Sequence, residues 1–211
     1  MSSSKSVIIS CAGIGSRLGL GTTKALININ GKSLIQRQLE MFKDIEDLRI
    51  VIGFQANKVI EEVLKFRKDV IFIYNHNYFE TKTGASFYLG AKDANQYLIE
   101  YDGDLLVHPD DIKILLNTDG EWIAYTEAVS DDAVYVTLNN NKEITSFTRE
   151  QGKYEWTGPC CLQKNHVSYT TENVYNQLEP HLPMRGIKIR ACDIDTYNDY
   201  QRALNWIKEW D

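Results

Sequence analysis

Residues 7–39 read VIISCAGIGSRLGLGTTKALININGKSLIQRQL. Val7 to Cys11 is a short, β-branched apolar run, which predicts a buried strand. A glycine-rich loop follows, carrying Gly13, Gly15, Gly19, Gly21 and Gly31 with the cations Arg17, Lys24 and Lys32 spaced among them. From Ser33 onward Leu34, Ile35, Leu39 and Phe42 fall near helical spacing, with Ser33 placed to cap the first turn. Strand, glycine loop, helix is the opening of an α/β sheet. The loop holds more glycine and positive charge than a tight turn needs, and that points to anion binding.

The chemistry of such a loop is direct. Gly13 and Gly15 let backbone N–H groups face an anion with no Cβ in the way. Ser16 adds a hydroxyl donor, Arg17 offers a planar fork to phosphate oxygens, and Lys24 can bring a point charge to a second phosphate. Two common phosphate loops do not fit. A G-x-G-x-x-G fingerprint needs glycine where Leu18 stands, and a P-loop ending in Gly31-Lys32-Ser33 needs glycine where Leu26 stands.

Outward from this stretch, 48–54 reads as a buried strand, 56–67 as an amphipathic helix and 70–74 as a third strand. Residues 84–98 read as a helix, a further strand is expected close to 104–107, and Pro109 opens another helix. This alternation predicts an α/β fold: three layers, α/β/α, with a mixed, mainly parallel central sheet. The second half changes character. Segments 121–128, 132–138, 143–150 and 154–163 are short, aromatic and β-branched, separated by turn signals, and read as antiparallel or mixed strands. Helices are expected over 165–178 and 198–210, around a last strand near 186–194, with Asp199 capping or opening the final helix. With no repeat, linker or low-complexity tract, 1–211 reads as one domain.

Composition sets limits. The 211 residues are 43% hydrophobic and 25% charged, an ordinary globular balance. A formal charge of −6 argues against a mainly electrostatic nucleic-acid binder. No apolar run approaches the ~18–20 residues of a membrane span, so no membrane partner is expected. Before Cys11 the apolar stretch is only Val7 to Ile9, too short for a signal core of about 7–15 residues. A cytoplasmic protein with reduced thiols at Cys11, Cys160, Cys161 and Cys192 is the reading, and no zinc spacing is present. His108 beside Pro109 reads as a locally satisfied residue. No apolar heptad declares an oligomer surface.

Residues 7–54 resemble the nucleotidyltransferases with a sugar-nucleotide-transferase fold. Their pattern runs hydrophobic strand, A-A-G-x-G-[ST]-R-[LM]-G, P-K-x-L, then GKPL and a helix. Within that superfamily the chain is most similar to the small cytidylyltransferases that act on phosphocholine and related short phospho-compounds. The likeness continues more loosely through TGASFYLGAK (83–92), DGDLLV (102–107), YEWTG (154–158) and IDTYNDY (194–200). In two places the chain departs from the pattern. Cys11 replaces the first alanine, and Thr23 replaces the proline before Lys24, which leaves the loop less rigid.

The resemblance implies transfer of a nucleoside monophosphate, CMP from CTP, to a small phosphorylated acceptor with release of pyrophosphate. Phosphocholine, phosphoethanolamine and an aminophosphonate stay open as acceptors. It implies nucleotide contacts from Cys11, Ala12, Gly13, Gly15, Ser16, Arg17 and Lys24, the last two catalytic, with Gly84, Ala85 and Ser86 on the base side. Asp104 and Asp195 would hold Mg²⁺, with Asp102 able to share and Asp193 in reserve; two aspartates plus phosphate oxygens suit that hard ion. Arg149, Glu155 and Gly158 would meet the acceptor, Lys153 being the other cation available. Trp122, Tyr154 and Trp156 are candidates for a quaternary-ammonium cage. A phosphate monoester is already largely a dianion near pH 7, its second pKa being about 6, so no general base is required. A sugar-1-phosphate nucleotidyltransferase and a non-catalytic nucleotide-binding homologue are the rival readings.

Overall fold

The computed structural model describes residues 4–15, 21–130 and 133–209. Its centre is a nine-stranded sheet, beside which β2 (Asn28–Ile29) and β3 (Lys32–Ser33) form a small antiparallel hairpin of their own. β1 (Lys5–Cys11) is flanked on one side by β4 (Asp47–Ile52) and β5 (Ile71–Tyr74), and on the other by β6 (Tyr97–Asp102), all parallel. Beyond β6 the sheet turns mixed. β11 (Tyr154–Gln163) runs antiparallel to both β6 and β8 (Trp122–Glu127), and β12 (Met184–Lys188) lies parallel to β8. β10 (Glu143–Thr148) and β9 (Tyr135–Leu138) close the far edge in antiparallel register. The expected mixed sheet is therefore present, with its parallel run confined mainly to the first half.

Strand alternation explains the layers, because successive side chains point to opposite faces. Val7, Ile9 and Cys11 of β1 pack toward α1 (Leu34–Met41), α2 (Ala56–Leu64) and α4 (Pro109–Asn117) through Ile35, Leu39, Val59, Val63, Ile112 and Leu115. Ile8 and Ala12 point the other way, onto α3 (Thr83–Ala91) and α5 (Tyr175–Leu178) through Phe87, Ala91 and Leu178. This is the α/β/α sandwich. A third cluster lies at one end. There α6 (Tyr197–Ile207) packs Ala203 and Ile207 on Ile29, Leu34, Leu106 and Ile194.

Three segments differ from the sequence reading. The helix expected over 84–98 stops at Ala91, because Asp93 takes a positive φ of 56°, a left-handed residue that ends a helix. Tyr97–Asp102 then forms the central strand, and 105–107 is only a short β7 (Leu105–Val107) in a separate two-stranded ribbon. The helix expected over 165–178 is a 3-10 turn at Lys164–His166, an irregular strap, and a single α-turn at Tyr175–Leu178. The strand expected near 186–194 breaks into β12 and β13 (Ala191–Asp193), which leaves the main sheet to pair with β7.

That break is fastened by Asp111 of α4. Its carboxylate accepts from the Arg190 backbone N–H at 2.7 Å, from Nε at 2.9 Å and from Nη2 at 2.9 Å. Burial pushes the Asp111 pKa up, but the Arg190 hydrogen bonds outweigh it and hold it below the usual range. A depressed folded-state pKa adds stability above the unfolded value of about 3.9, and that stability is lost as pH falls through the lower folded value. Asp111→Asn is expected to destabilise the fold by about 2 kcal/mol at neutral pH. Denaturant melts should show the gap between wild type and variant closing below about pH 3.9.

Candidate active site

β1 and β6 are neighbours whose chain connections leave in opposite directions, so a crevice opens at their carboxyl ends. A cavity of about 250 Å³ occupies it. Its floor is Ser10, Cys11, Ala12, Gly13 and Gly15, and its walls include Lys24, Asn75, Thr83, Ser86, Asp102 and Asp104. Ser16 and Arg17 lie outside the described residues. Burial, then the carboxylates of Asp104 and Asp102, push the Cys11 thiol well up, so it stays protonated and serves as wall rather than nucleophile. Of the three α3 candidates only Ser86 lines this cavity, joined there by Thr83. Ala85 is buried in the helix. At Gly84 a Cβ would lie 2.5 Å from Thr170 Cγ2 and 2.6 Å from the Glu172 carbonyl, so that glycine serves close packing against the strap.

Lys24 stands on a 3-10 turn, Lys24–Leu26. Thr23, in the place of the expected proline, has φ −64° and is 2% exposed. That is the φ to which proline is locked, so burial imposes here what the ring would impose covalently. Gly15 has φ +66°, and a Cβ on it would meet Lys24 Cγ at 2.8 Å, so the glycine lets the loop lie against the lysine stem. The ammonium reaches Asp104 Oδ2 at 2.6 Å and also pairs with Asp195 Oδ1. Burial works against its charge, but Asp104 and Asp195 prevail and raise its pKa. Lys32, the other described cation of the motif, instead forms an exposed pair with Glu40 at 2.7 Å, away from the cavity.

The two aspartates meet because β13 pairs with β7. Asp193 lies opposite Leu105, and the next rung is the Ile194 N–H donating to the Asp104 carbonyl at 3.1 Å. Gln38 of α1, fully buried, braces the other side of this turn by donating to the carbonyls of Asp102 at 3.0 Å and Leu105 at 3.1 Å. Asp199 holds the chain just past β13. Its Oδ2 accepts from the backbone N–H groups of Asp195 at 3.2 Å and Thr196 at 2.8 Å, while its own N–H donates to Thr196 Oγ1 at 3.3 Å. This capping box bears out the expected role of Asp199 at the helix start. Asp199→Ala should cost about 1 kcal/mol of stability by cap loss. It should also lower turnover, because the Asp195 backbone is released; Tm and kcat measured on one preparation check both.

Strand alternation does not separate Asp193 from Asp195, since β13 ends at Asp193 and both side chains line the cleft beyond Asp102. Burial, then Asp104, pushes Asp102 up to about 7. Asp193 is raised well above the usual range by burial and by Asp104, Asp102 and Asp195. Fully buried Glu100 is raised well above the usual carboxylate range by burial and by Asp102. Four half-buried carboxylates thus crowd about one ammonium. Among the described residues no three such side chains are grouped to hold a metal ion by themselves, so a divalent cation of the Mg²⁺ kind at Asp104 and Asp195 would take its remaining oxygen ligands from phosphate and water.

Beyond Asp102 lie two adjoining hollows of about 140 and 180 Å³. Arg149 lines both, with its guanidinium 5.8 Å from the Tyr175 ring centroid. Trp156 lines both as well and meets Phe147 and Tyr175 edge-on. Glu155 lines one hollow, but its carboxylate accepts from the N–H groups of Val129 and Ser130 at 3.2 Å each, and so holds that loop. Gly158 has φ +108° at a bulge in β11, and any Cβ there would collide with Asp102 Oδ2. Lys153 is placed over the Tyr154 ring, outside both hollows. Of the cage candidates only Trp156 faces this cleft. Trp122 is fully buried in the core and Tyr154 packs on Tyr125. His108 accepts from the Asp110 N–H at 3.3 Å as the cap of α4.

Asn75, Thr83 and Gln38 escaped the sequence reading. Gln38 alone carried a signal, a polar residue on the apolar face of α1. The structure describes four free cysteines, and no helix among the described residues is long and apolar enough to cross a membrane.

The model of the MobA-like NTP transferase domain matches residues 7–166. Choline-phosphate cytidylyltransferase from Streptococcus pneumoniae is 35% identical over 104 residues, 46% of this chain and 44% of that protein, so the match spans less than half of this relative. Among solved structures, a CTP:phosphocholine cytidylyltransferase from S. pneumoniae superposes with a TM-score of 0.77 at 20% identity, covering 96% of this chain and 99% of that one. The inositol-1-phosphate CTP transferase from T. maritima does so with a TM-score of 0.76 at 19% identity, covering 100% and 98%. These likenesses show the fold, that of the nucleotide-diphospho-sugar transferases.

Proposed function

Because the chain belongs to the MobA-like NTP transferase domain family, we propose that it transfers CMP from CTP to a small phosphorylated acceptor and releases pyrophosphate. The observation that carries this reading is Lys24 bound between Asp104 and Asp195 where the glycine-loop cavity meets the second cleft. The loop cavity has the backbone amides and small residues that a triphosphate needs. In the second cleft Arg149 stands among Asp102, Asp193 and Trp156, which supports the acceptor-phosphate role proposed for it.

The chemical difficulty is charge, since a phosphate dianion must approach a triphosphate. Catalysis of such a step is positioning plus electrostatic stabilisation. Lys24 sits where charge builds at the α-phosphate, and the amides around Gly13 and Gly15 hold the leaving pyrophosphate, with Arg17 assigned to the same task. Asp104 and Asp195 would hold Mg²⁺, which when bound supplies positive charge against the phosphate oxygens. Cys11, protonated in the wall, takes no part in bond making.

A pyrophosphate-release assay with four nucleoside triphosphates against phosphocholine, phosphoethanolamine and glucose 1-phosphate tests the reading. Turnover with CTP and a small amino-alcohol phosphate is the expected result. Turnover confined to glucose 1-phosphate would make this a sugar-1-phosphate nucleotidyltransferase, and CTP binding without turnover would leave a nucleotide-binding protein. Binding itself is read by thermal shift, since CTP at about 100 times its Kd should add ~2.7 kcal/mol of stability.

A further inference from the structure

The irregular strap between the 3-10 turn at Lys164–His166 and α5 takes no part in the motif resemblance, yet it joins the two clefts. Its carbonyls cap the start of α3: Thr171 O accepts from the Lys82 N–H at 2.8 Å, and Glu172 O accepts from the Gly84 N–H at 2.9 Å. The Val174 N–H donates to Thr83 Oγ1 at 3.3 Å, Gln177 Nε2 donates to the Gly84 carbonyl at 2.9 Å, and Lys82 pairs with Glu172 at 2.5 Å. Gly84 leaves no room between strap and helix. The strap is thus fixed at a set height over the loop cavity.

Within this fastened segment stands Asn173. It lines both the loop cavity and the second cleft, and among the wall residues those two spaces share are Thr83, Asp102 and Asp104. Thr83 is its immediate neighbour through the Val174 bond. Asp102 and Asp104 bring negative charge to the junction, whereas a carboxamide brings two N–H donors and no charge. The Asn173 side chain makes no hydrogen bond among the described residues, while the strap around it is hydrogen-bonded on both sides. A donor pair carried on a fastened backbone, at the point where two phosphorylated molecules would meet, is within reach of both.

We propose that Asn173 is a specificity-determining residue that touches both substrates, donating one N–H to the nucleotide's phosphate and the other to the acceptor's phosphate. The two anions, which repel one another in water, then share one donor group, so occupancy of either cleft favours occupancy of the other. By linkage the enhancement is the same in both directions. This deepens the nucleotidyl-transfer reading and rests on it.

The test uses the full chain and its Asn173→Ala and Asn173→Asp variants. Calorimetric titration measures the α,β-methylene analogue of CTP with Mg²⁺, and phosphocholine, phosphoethanolamine and glucose 1-phosphate, each alone and in the presence of the other partner. In wild type the analogue should tighten at least one phosphate monoester about fivefold or more. Asn173→Ala should abolish that enhancement while the melting temperature stays within about two degrees, because the side chain holds nothing in the free protein. Asn173→Asp should weaken both ligands further by adding like charge. In turnover, Asn173→Ala should raise the acceptor KM and lower kcat by about tenfold. An enhancement that survives in Asn173→Ala, or that is absent in wild type for all three monoesters, overturns the proposal. Wild type that binds the analogue yet releases no pyrophosphate with any pair overturns the reaction instead, and the titrations still decide Asn173.

Discussion

Lys24→Ala is expected to lower turnover by about 10²–10³-fold, the ~3–4 kcal/mol that a charge-stabilising donor in a dry site supplies to a transition state. The size of the effect follows from placement. The Lys24 side chain is 13% exposed, and its ammonium is pinned between two carboxylates and raised in pKa by them, so it is charged at every working pH and needs no reorganisation when charge builds beside it. The fold should survive. Asp104 and Asp195 keep 25% and 29% of their side-chain surface in water, and solvent can replace the lost partner. Lys32→Ala is the control, since its exposed pair with Glu40 lies away from the cavity. Steady-state kcat with saturating CTP, together with a melting curve, decides the matter. Near wild-type turnover in a folded Lys24→Ala protein would remove Lys24 from the chemistry.

Asp104→Asn should be nearly as costly, and its combination with Lys24→Ala should be far less than additive. Asparagine keeps the shape but removes the charge that both Lys24 and a divalent ion would use. Turnover is expected to fall about 10²-fold, with the Mg²⁺ concentration for half-maximal rate rising ~10–100-fold. Groups that share one network couple by about 0.5–3 kcal/mol. The double variant should therefore lose little beyond the worse single one. Strict additivity would mean that the two residues act separately, against the geometry that joins them at 2.6 Å.

What was readable in the sequence was local. Val7–Cys11, the glycine loop and the helix after Ser33 are short-range patterns, and the fold begins where they predict. The capping role of Asp199 was equally local, since the box spans only Thr196 to Asp199. The errors came where local signals compete. Tyr97–Asp102, Tyr-Leu-Ile-Glu-Tyr-Asp, follows directly on a helical pattern, and only its place between β1 and β11 makes it a strand. The strap after His166 reads Val-Ser-Tyr-Thr-Thr-Glu-Asn-Val, mostly weak helix formers, and its carbonyls are committed to α3.

The sequence by itself determined that a glycine-rich turn with cations follows a buried first strand, and which aspartates were available, because spacing and residue type are properties of the chain. Tertiary structure alone decided that Lys24 lies between residues 80 and 171 positions further on, that Gln38 braces their turn, and that Asn173 stands at the junction of two clefts. The reason is physical. Contacts between distant segments are set by which strand pairs with which and by how the layers pack, and no local period encodes that choice.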